Sequence, residues 1–152
     1  MKARIDSPVG GLVVEEADGA IIRLDWQNGP IIEPATEILK AAVDQLRAYF
    51  TGNLTVFDLP LNPAGTTFQQ SVHAAMLAIP FGETRSYGDI AKDLGVPAQP
   101  IGQACGANPI PIIIPCHRVL AADGKLGGFS GRGGVETKVA LLRHEGAAGL
   151  LI

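Results

Sequence analysis

No apolar run in this chain approaches the roughly 20 residues that a membrane-spanning helix needs, and Met1-Lys2-Ala3-Arg4-Ile5-Asp6 leads into no signal-peptide core. A soluble, cytoplasmic protein with no membrane partner is the expectation. Cysteine is scarce: Cys105 and Cys116 are the two, without a Cys-x-x-Cys pair, which excludes a disulfide framework. The three histidines, His73, His117 and His144, lack zinc-type spacing, so neither a metal nor a cofactor is expected. Charge is also sparse, at 18% of residues with a net value of −3, which argues against a general polyanion binder, because Lys and Arg supply most non-specific affinity for phosphates. What is abundant is apolar surface: 47% hydrophobic residues over 152 positions suffice for a buried core and exclude compositional disorder.

The charge is unevenly spread. Residues 1–79 carry five basic and nine acidic side chains, whereas 80–152 carry seven and six. A nucleic-acid partner would therefore meet the second half, with modest, salt-sensitive affinity.

Short strands are predicted at 11–16 and 20–25, rich in Val, Ile and Leu and separated by the hairpin pair Asp18-Gly19. From Thr36 to Phe50, Ile38, Leu39, Ala42, Val43, Leu46, Tyr49 and Phe50 recur at helical spacing, with Gly52 placed for a left-handed cap. The Pro- and Gly-rich segment around 60–65 has no periodicity and predicts a linker. Beyond it, Thr66 or Thr67 caps a helix through Ile79, Ser86 opens a short helix ended by Gly95, and 98–107 forms another with Pro100 in its first turn. Two short helices about a Gly-Val-Pro turn resemble a helix-turn-helix. Residues 110–115 read as a buried strand or extended segment, 119–126 as a hairpin about Asp123-Gly124, 127–134 as a glycine-rich loop and 135–145 as a helix. The expected fold is α+β: a scaffold lobe at 1–59 with an antiparallel sheet and a covering helix, a linker at 60–65, and a mostly helical lobe at 66–152.

Cys116, between Pro115 and His117-Arg118, is the candidate nucleophile, since a thiol reacts once its proton is drawn off or its thiolate is stabilised. An inert buried thiol is the competing reading. Neighbours on an extended backbone point to opposite faces, so His117 would reach Cys116 through a water. Glu145, at a helix C-terminus where the dipole disfavours a carboxylate, either orients His117 or pairs at the surface with Arg143 or His144. Asn108 before Pro109 suits a turn. Tyr87, directly after Ser86, either donates a hydrogen bond into a cleft or packs in the core.

Asn108-Pro109, then Ile112-Ile113-Ile114-Pro115-Cys116-His117-Arg118-Val119, Gly127-Gly128-Phe129-Ser130-Gly131 and Leu141-Leu142-Arg143-His144-Glu145-Gly146, resemble the O6-alkylguanine-DNA alkyltransferase family. Phe68-Gln69-Gln70 and the run from Ile79 to Gly88 extend the likeness over about 66–147. The resemblance implies single-turnover transfer of an alkyl group from O6 of guanine, with O4 of thymine as a second candidate position, to Cys116. It makes His117 the water-mediated base, Glu145 its orienter, Asn108 the brace of the active-site turn and Tyr87 the donor to N3 of the guanine. Val119 and Ser130 would line the base pocket, and Arg118, Phe129, Thr66 and Ser86 fall among the substrate- and DNA-contacting positions. The implied partner is double-stranded DNA carrying O6-alkylguanine, approached by a monomer through the minor groove; a bacterial or archaeal member would be nucleoid-associated.

One position departs from the family pattern. Where an Arg fills the gap left by the flipped base, this chain has Gln99 followed by Pro100, which lacks the cationic, stacking guanidinium. Weaker extrusion or a changed substrate is the expected consequence. The alternatives are a lesion-binding relative without transfer, which would not need Cys116, an alkyl transferase or sensor acting on a small electrophile or another nucleic acid, and a pure DNA-binding regulator, which would not need His117 and Glu145 beside a thiol.

Overall fold

Asp18 and Gly19 both take positive φ, 52° and 82°, the combination that lets a two-residue turn follow the twist of its strands. They join β2 (Gly10–Ala17) to β3 (Ala20–Trp26) in the computed structural model, which describes residues 1–121, 126–127 and 134–147. A further strand that the sequence reading does not resolve, β1 (Lys2–Ser7), pairs antiparallel with β2 to give the order β1-β2-β3. Its pattern is hidden because Ala3, Arg4 and Ile5 are all buried in succession. Arg4 is accommodated by donating to the Gln27 carbonyl at 2.8 Å and to Asp6 at 3.1 Å.

Helix α1 (Glu37–Phe50) begins where the Thr36 hydroxyl accepts from the Leu39 amide at 3.1 Å, and Gly52, at φ 82°, follows its end. Its buried stripe of Leu39, Ala42, Val43, Leu46 and Tyr49 packs on the sheet, whose inner face holds Ile5, Leu12, Val14, Ile21 and Leu24. Each such large apolar side chain contributes roughly 1.5–3 kcal/mol on burial. Residues 60–62, expected as linker, lie along β3 instead: the Ile21 amide donates to Pro60 O and the Asn62 amide to Ile21 O, each at 2.8 Å. The first compact unit spans Met1–Ala64 and the second Gly65–Ile152.

The second unit contains α2 (Thr67–Leu77), β4 (Arg85–Ser86), α3 (Tyr87–Leu94), α4 (Ala98–Gly106), a 3-10 turn (Cys116–Arg118), β5 (Val119–Leu120) and α5 (Val135–His144). Thr66 and Ser86 each close a capping box, with Gln69 and Asp89 respectively, fixing the starts of α2 and α3. Gly95, left-handed at φ 69°, ends α3, and Pro97 precedes α4 with Pro100 in its first turn, where a missing N–H leaves no bond unmade. α3 packs on α4 and α4 on α2, completing a helix-turn-helix.

Residues 110–115 form a buried turn rather than a strand: Ile114 N donates to Ile110 O at 2.9 Å and Ile112 takes φ 73°. Pro111 and Pro115 lack ladder donors, and Asn108 supplies the bonds that hold the turn instead. Val119–Leu120 pairs in parallel with Arg85–Ser86. The turn expected at Asp123-Gly124 lies outside the described residues.

Candidate active site

Asn108 is the keystone of the segment that presents Cys116. Its buried amide donates to Ile114 O at 2.8 Å while its side-chain oxygen accepts from Ile110 N at 3.0 Å, so one side chain substitutes for two missing backbone partners. Cys116 N then donates to Ile114 O at 2.8 Å and Arg118 N to Pro115 O at 3.0 Å, winding Cys116–Arg118 into the 3-10 turn. This coil removes the strict alternation of an extended chain. Cys116 itself is in no disulfide and is 5% exposed.

His117 is fully buried, and its Nε2 lies 2.7 Å from Glu145 Oε2. Glu145 caps α5 and is buried as well, where an unpartnered carboxylate would be strongly disfavoured. Arg118 resolves this. Its Nε donates to Oε1 at 2.8 Å and its Nη2 to Oε2 at 3.0 Å, a two-pronged clamp, while Nη1 donates to the Ile79 carbonyl at 2.7 Å. A carboxylate so held accepts only, so His117 Nε2 carries the hydrogen and, in the neutral ring, Nδ1 is the bare acceptor. Burial lowers the pKa of the imidazole below the usual histidine range, against the pull of Glu145 and with help from the Arg118 and Lys138 charges. Nδ1 is buried with no hydrogen-bond partner among the described residues.

The β4–β5 pairing brings the other half of the site together. Arg85 pairs with Val119 and Ser86 with Leu120, so the start of α3, with half-buried Tyr87, lies beside the exit of the cysteine turn. Gly127 backs onto the phenol; a Cβ there would come within 2.9 Å of Tyr87 Oη, and its φ of 68° is one glycine adopts without strain. Gln99 is exposed as the second residue of α4.

Of the residues singled out from sequence, Cys116, His117, Glu145, Asn108, Tyr87 and Val119 belong to this neighbourhood. Arg118 is buried, with three of its N–H groups donating to Glu145 and to the Ile79 carbonyl. Thr66 and Ser86 serve as helix caps, and Ser130 and Phe129 lie outside the described residues. Lys138 was missed. Fully buried on α5, it donates to Val119 O at 2.7 Å and lies 6.0 Å from the Tyr87 ring centre. Its signal was present, since Lys138, Leu141, Leu142 and Glu145 recur at helical spacing on one stripe. Among the described residues no group of three or more His, Cys, Asp or Glu side chains is placed to hold a metal, and no helix is long and apolar enough to cross a membrane.

Residues 67–147 match the model of the 6-O-methylguanine DNA methyltransferase DNA-binding domain, and 1–63 that of the ribonuclease-like domain of the same family. The chain belongs to this family. It is 46% identical over 149 residues to the methylated-DNA–protein-cysteine methyltransferase of Mycobacterium tuberculosis, covering 93% of this chain and 89% of the relative. The protein of that name from Methanosarcina acetivorans is 41% identical over 154 residues, covering 95% and 97%. A crystal structure of the M. tuberculosis O6-methylguanine methyltransferase superposes with a TM-score of 0.85 at 43% identity, covering 99% of this chain and 95% of that one. A second, of M. tuberculosis OGT in complex with DNA, gives 0.82 at 45% identity, covering 94% and 91%.

Proposed function

We propose that this chain repairs DNA directly, moving an alkyl group from O6 of guanine onto Cys116 in one irreversible turnover. The observation that carries the reading is the line from Cys116 through the adjacent, neutral His117 to Glu145, the last link being 2.7 Å long and buried. The bare Nδ1 of His117 takes the thiol proton through a bridging water, and the Glu145 carboxylate steadies the imidazolium that forms. The thiolate attacks the carbon on O6: the S–C bond forms as the C–O6 bond breaks, and the electron pair stays on O6. Tyr87 donates to N3 of the departing guanine and makes it a better leaving group. A thioether offers no route back to thiol, so each molecule reacts once.

The target atom is out of reach inside a duplex, so the base is turned out of the stack at a cost of a few kcal/mol, offset by the pocket that Val119 helps to line. The helix-turn-helix approaches the minor groove as a monomer, with Gln99 at the gap. Its uncharged side chain still bonds the orphaned cytosine but holds the gap less firmly than a guanidinium.

The test is to incubate the protein with a duplex containing O6-methylguanine and weigh it. A gain of one methyl on Cys116, absent in Cys116→Ala, is expected; an unchanged mass under excess duplex refutes transfer. Gln99→Arg is expected to speed repair of the duplex more than reaction with free O6-benzylguanine. Equal acceleration of the two would remove Gln99 from extrusion.

A further inference from the structure

Lys138 is the buried charge that the mechanism above leaves unused. An ammonium with 0% exposure has lost its hydration and persists only where other charges or dipoles replace it. Its Nζ is pinned to the Val119 carbonyl, three residues after Cys116, and faces the π-surface of Tyr87. Burial pulls its pKa down to about 8, while negative charge on Cys116 and, less strongly, on Cys105 pulls it back up. The ammonium thus lies within electrostatic reach of both thiols, one from the 3-10 turn and one from α4.

We propose that Lys138 is a positioning residue for the acceptor, its ammonium, anchored on Val119, supplying the fixed positive charge that stabilises the Cys116 thiolate. This rests on Cys116 being the acceptor. The other ionisable groups around the turn are committed differently. Arg118 is clamped to Glu145, whose charge it matches. His117 is held neutral by burial. Burial pushes the Cys105 thiol up to about 12, so it stays protonated and does not compete for the ammonium. Tyr87 offers a ring face. Proton removal by His117 and charge stabilisation by Lys138 are then separate tasks, and the second ends when sulfur becomes a neutral thioether.

The experiment measures alkylation of Cys116 by iodoacetamide from pH 5 to 9 in the full-length protein, read by peptide mass, for the wild type, Lys138→Met and Lys138→Arg. Lys138→Met is expected to move the midpoint of the profile up by about one pH unit, lowering the rate near neutrality about tenfold, and Lys138→Arg to restore most of it. A purely structural lysine would alter melting temperature and leave the midpoint alone, and an unmoved midpoint in folded Lys138→Met overturns the proposal. If Lys138→Met does not fold, the wild type decides: NMR titration of the Lys138 side chain before and after S-methylation of Cys116 by iodomethane should show a lower midpoint once the anion is gone, and an identical midpoint overturns the inference. Methylation of wild-type Cys116 by the O6-methylguanine duplex is followed in parallel. Its absence discards the repair reading, whereas its presence beside an unmoved iodoacetamide midpoint discards the role of Lys138 alone.

Discussion

Between Met1 and Ala64 the one buried polar or charged side chain is Arg4; the described part of the second unit buries His73, Asn108, His117, Arg118, Thr137, Lys138 and Glu145. The first unit is organised by apolar burial, with a helix stripe laid on a sheet face. The second sets two cations, a carboxylate and an imidazole around one thiol, an arrangement that hydrophobic side chains of equal volume would often match or exceed in stability. Such a cluster makes sense where chemistry, rather than stability, requires buried charge.

Removing the centre of the cluster should break that contrast most visibly. Glu145→Ala leaves the Arg118 guanidinium buried without its anion and is expected to cost about 3–5 kcal/mol in denaturant melts. Because His117 also loses its orienter, methyl transfer by the folded fraction should fall at least about 100-fold. Leu46→Ala, in the core of the first unit, should cost about 2–5 kcal/mol yet leave transfer per folded molecule at the wild-type rate. If both variants lose stability and activity in the same proportion, the division of labour between the units is wrong.

Asn108→Ala comes next. It strands the Ile114 carbonyl and the Ile110 amide in a buried turn, for roughly 1–3 kcal/mol and a slower transfer that extra stabiliser does not rescue. Recovery of full rate in stabilising osmolyte would show that the turn acts on stability alone.

Acid separates the units by a different route, since all three histidines lie beyond Gly65. Burial holds His73 and His117 below the ordinary histidine value, so below pH 6.5 the unfolded chain takes up protons that the folded one refuses. Stability is therefore unaffected by these groups above pH 6.5 and falls as the pH drops towards their folded values, by at most about 1.4 kcal/mol per pH unit for each. His73→Gln should flatten this acid limb while transfer persists; melting temperatures at pH 7, 6 and 5 that parallel the wild type would assign the limb elsewhere. The smallest effect is at the caps. Thr36→Ala and Ser86→Ala should each cost about 1 kcal/mol, but only Ser86→Ala, adjacent to Tyr87, should also slow transfer, as initial rates on the methylated duplex will reveal.

Elements whose pattern is local were legible in the chain. The Asp18-Gly19 turn, the α1 stripe, the caps at Thr66 and Ser86 and the Gly95 stop follow from residues within one or two turns of each other. The strand β1 escapes because Ala3, Arg4 and Ile5 are buried in succession and leave no alternation to read, and four isoleucines within 110–115 look like a strand until Asn108 folds them into a turn. The proposed acceptor, Cys116, stands out through its neighbours and through family likeness. For Arg118 the chain shows a guanidinium beside a cysteine and nothing of the carboxylate 27 residues away that it clamps.

Sequence alone thus determined the two-part layout and the helices of the second unit, because backbone preference and apolar periodicity act over short spans, and it singled out Cys116 for the proposal. Only tertiary structure decided that Glu145 meets both His117 and Arg118, that Lys138 reaches Val119, and that Arg85–Ser86 carries Tyr87 to the cysteine turn. Those contacts join elements far apart in the chain, and the burial that gives each charge its effect exists only once the elements have packed.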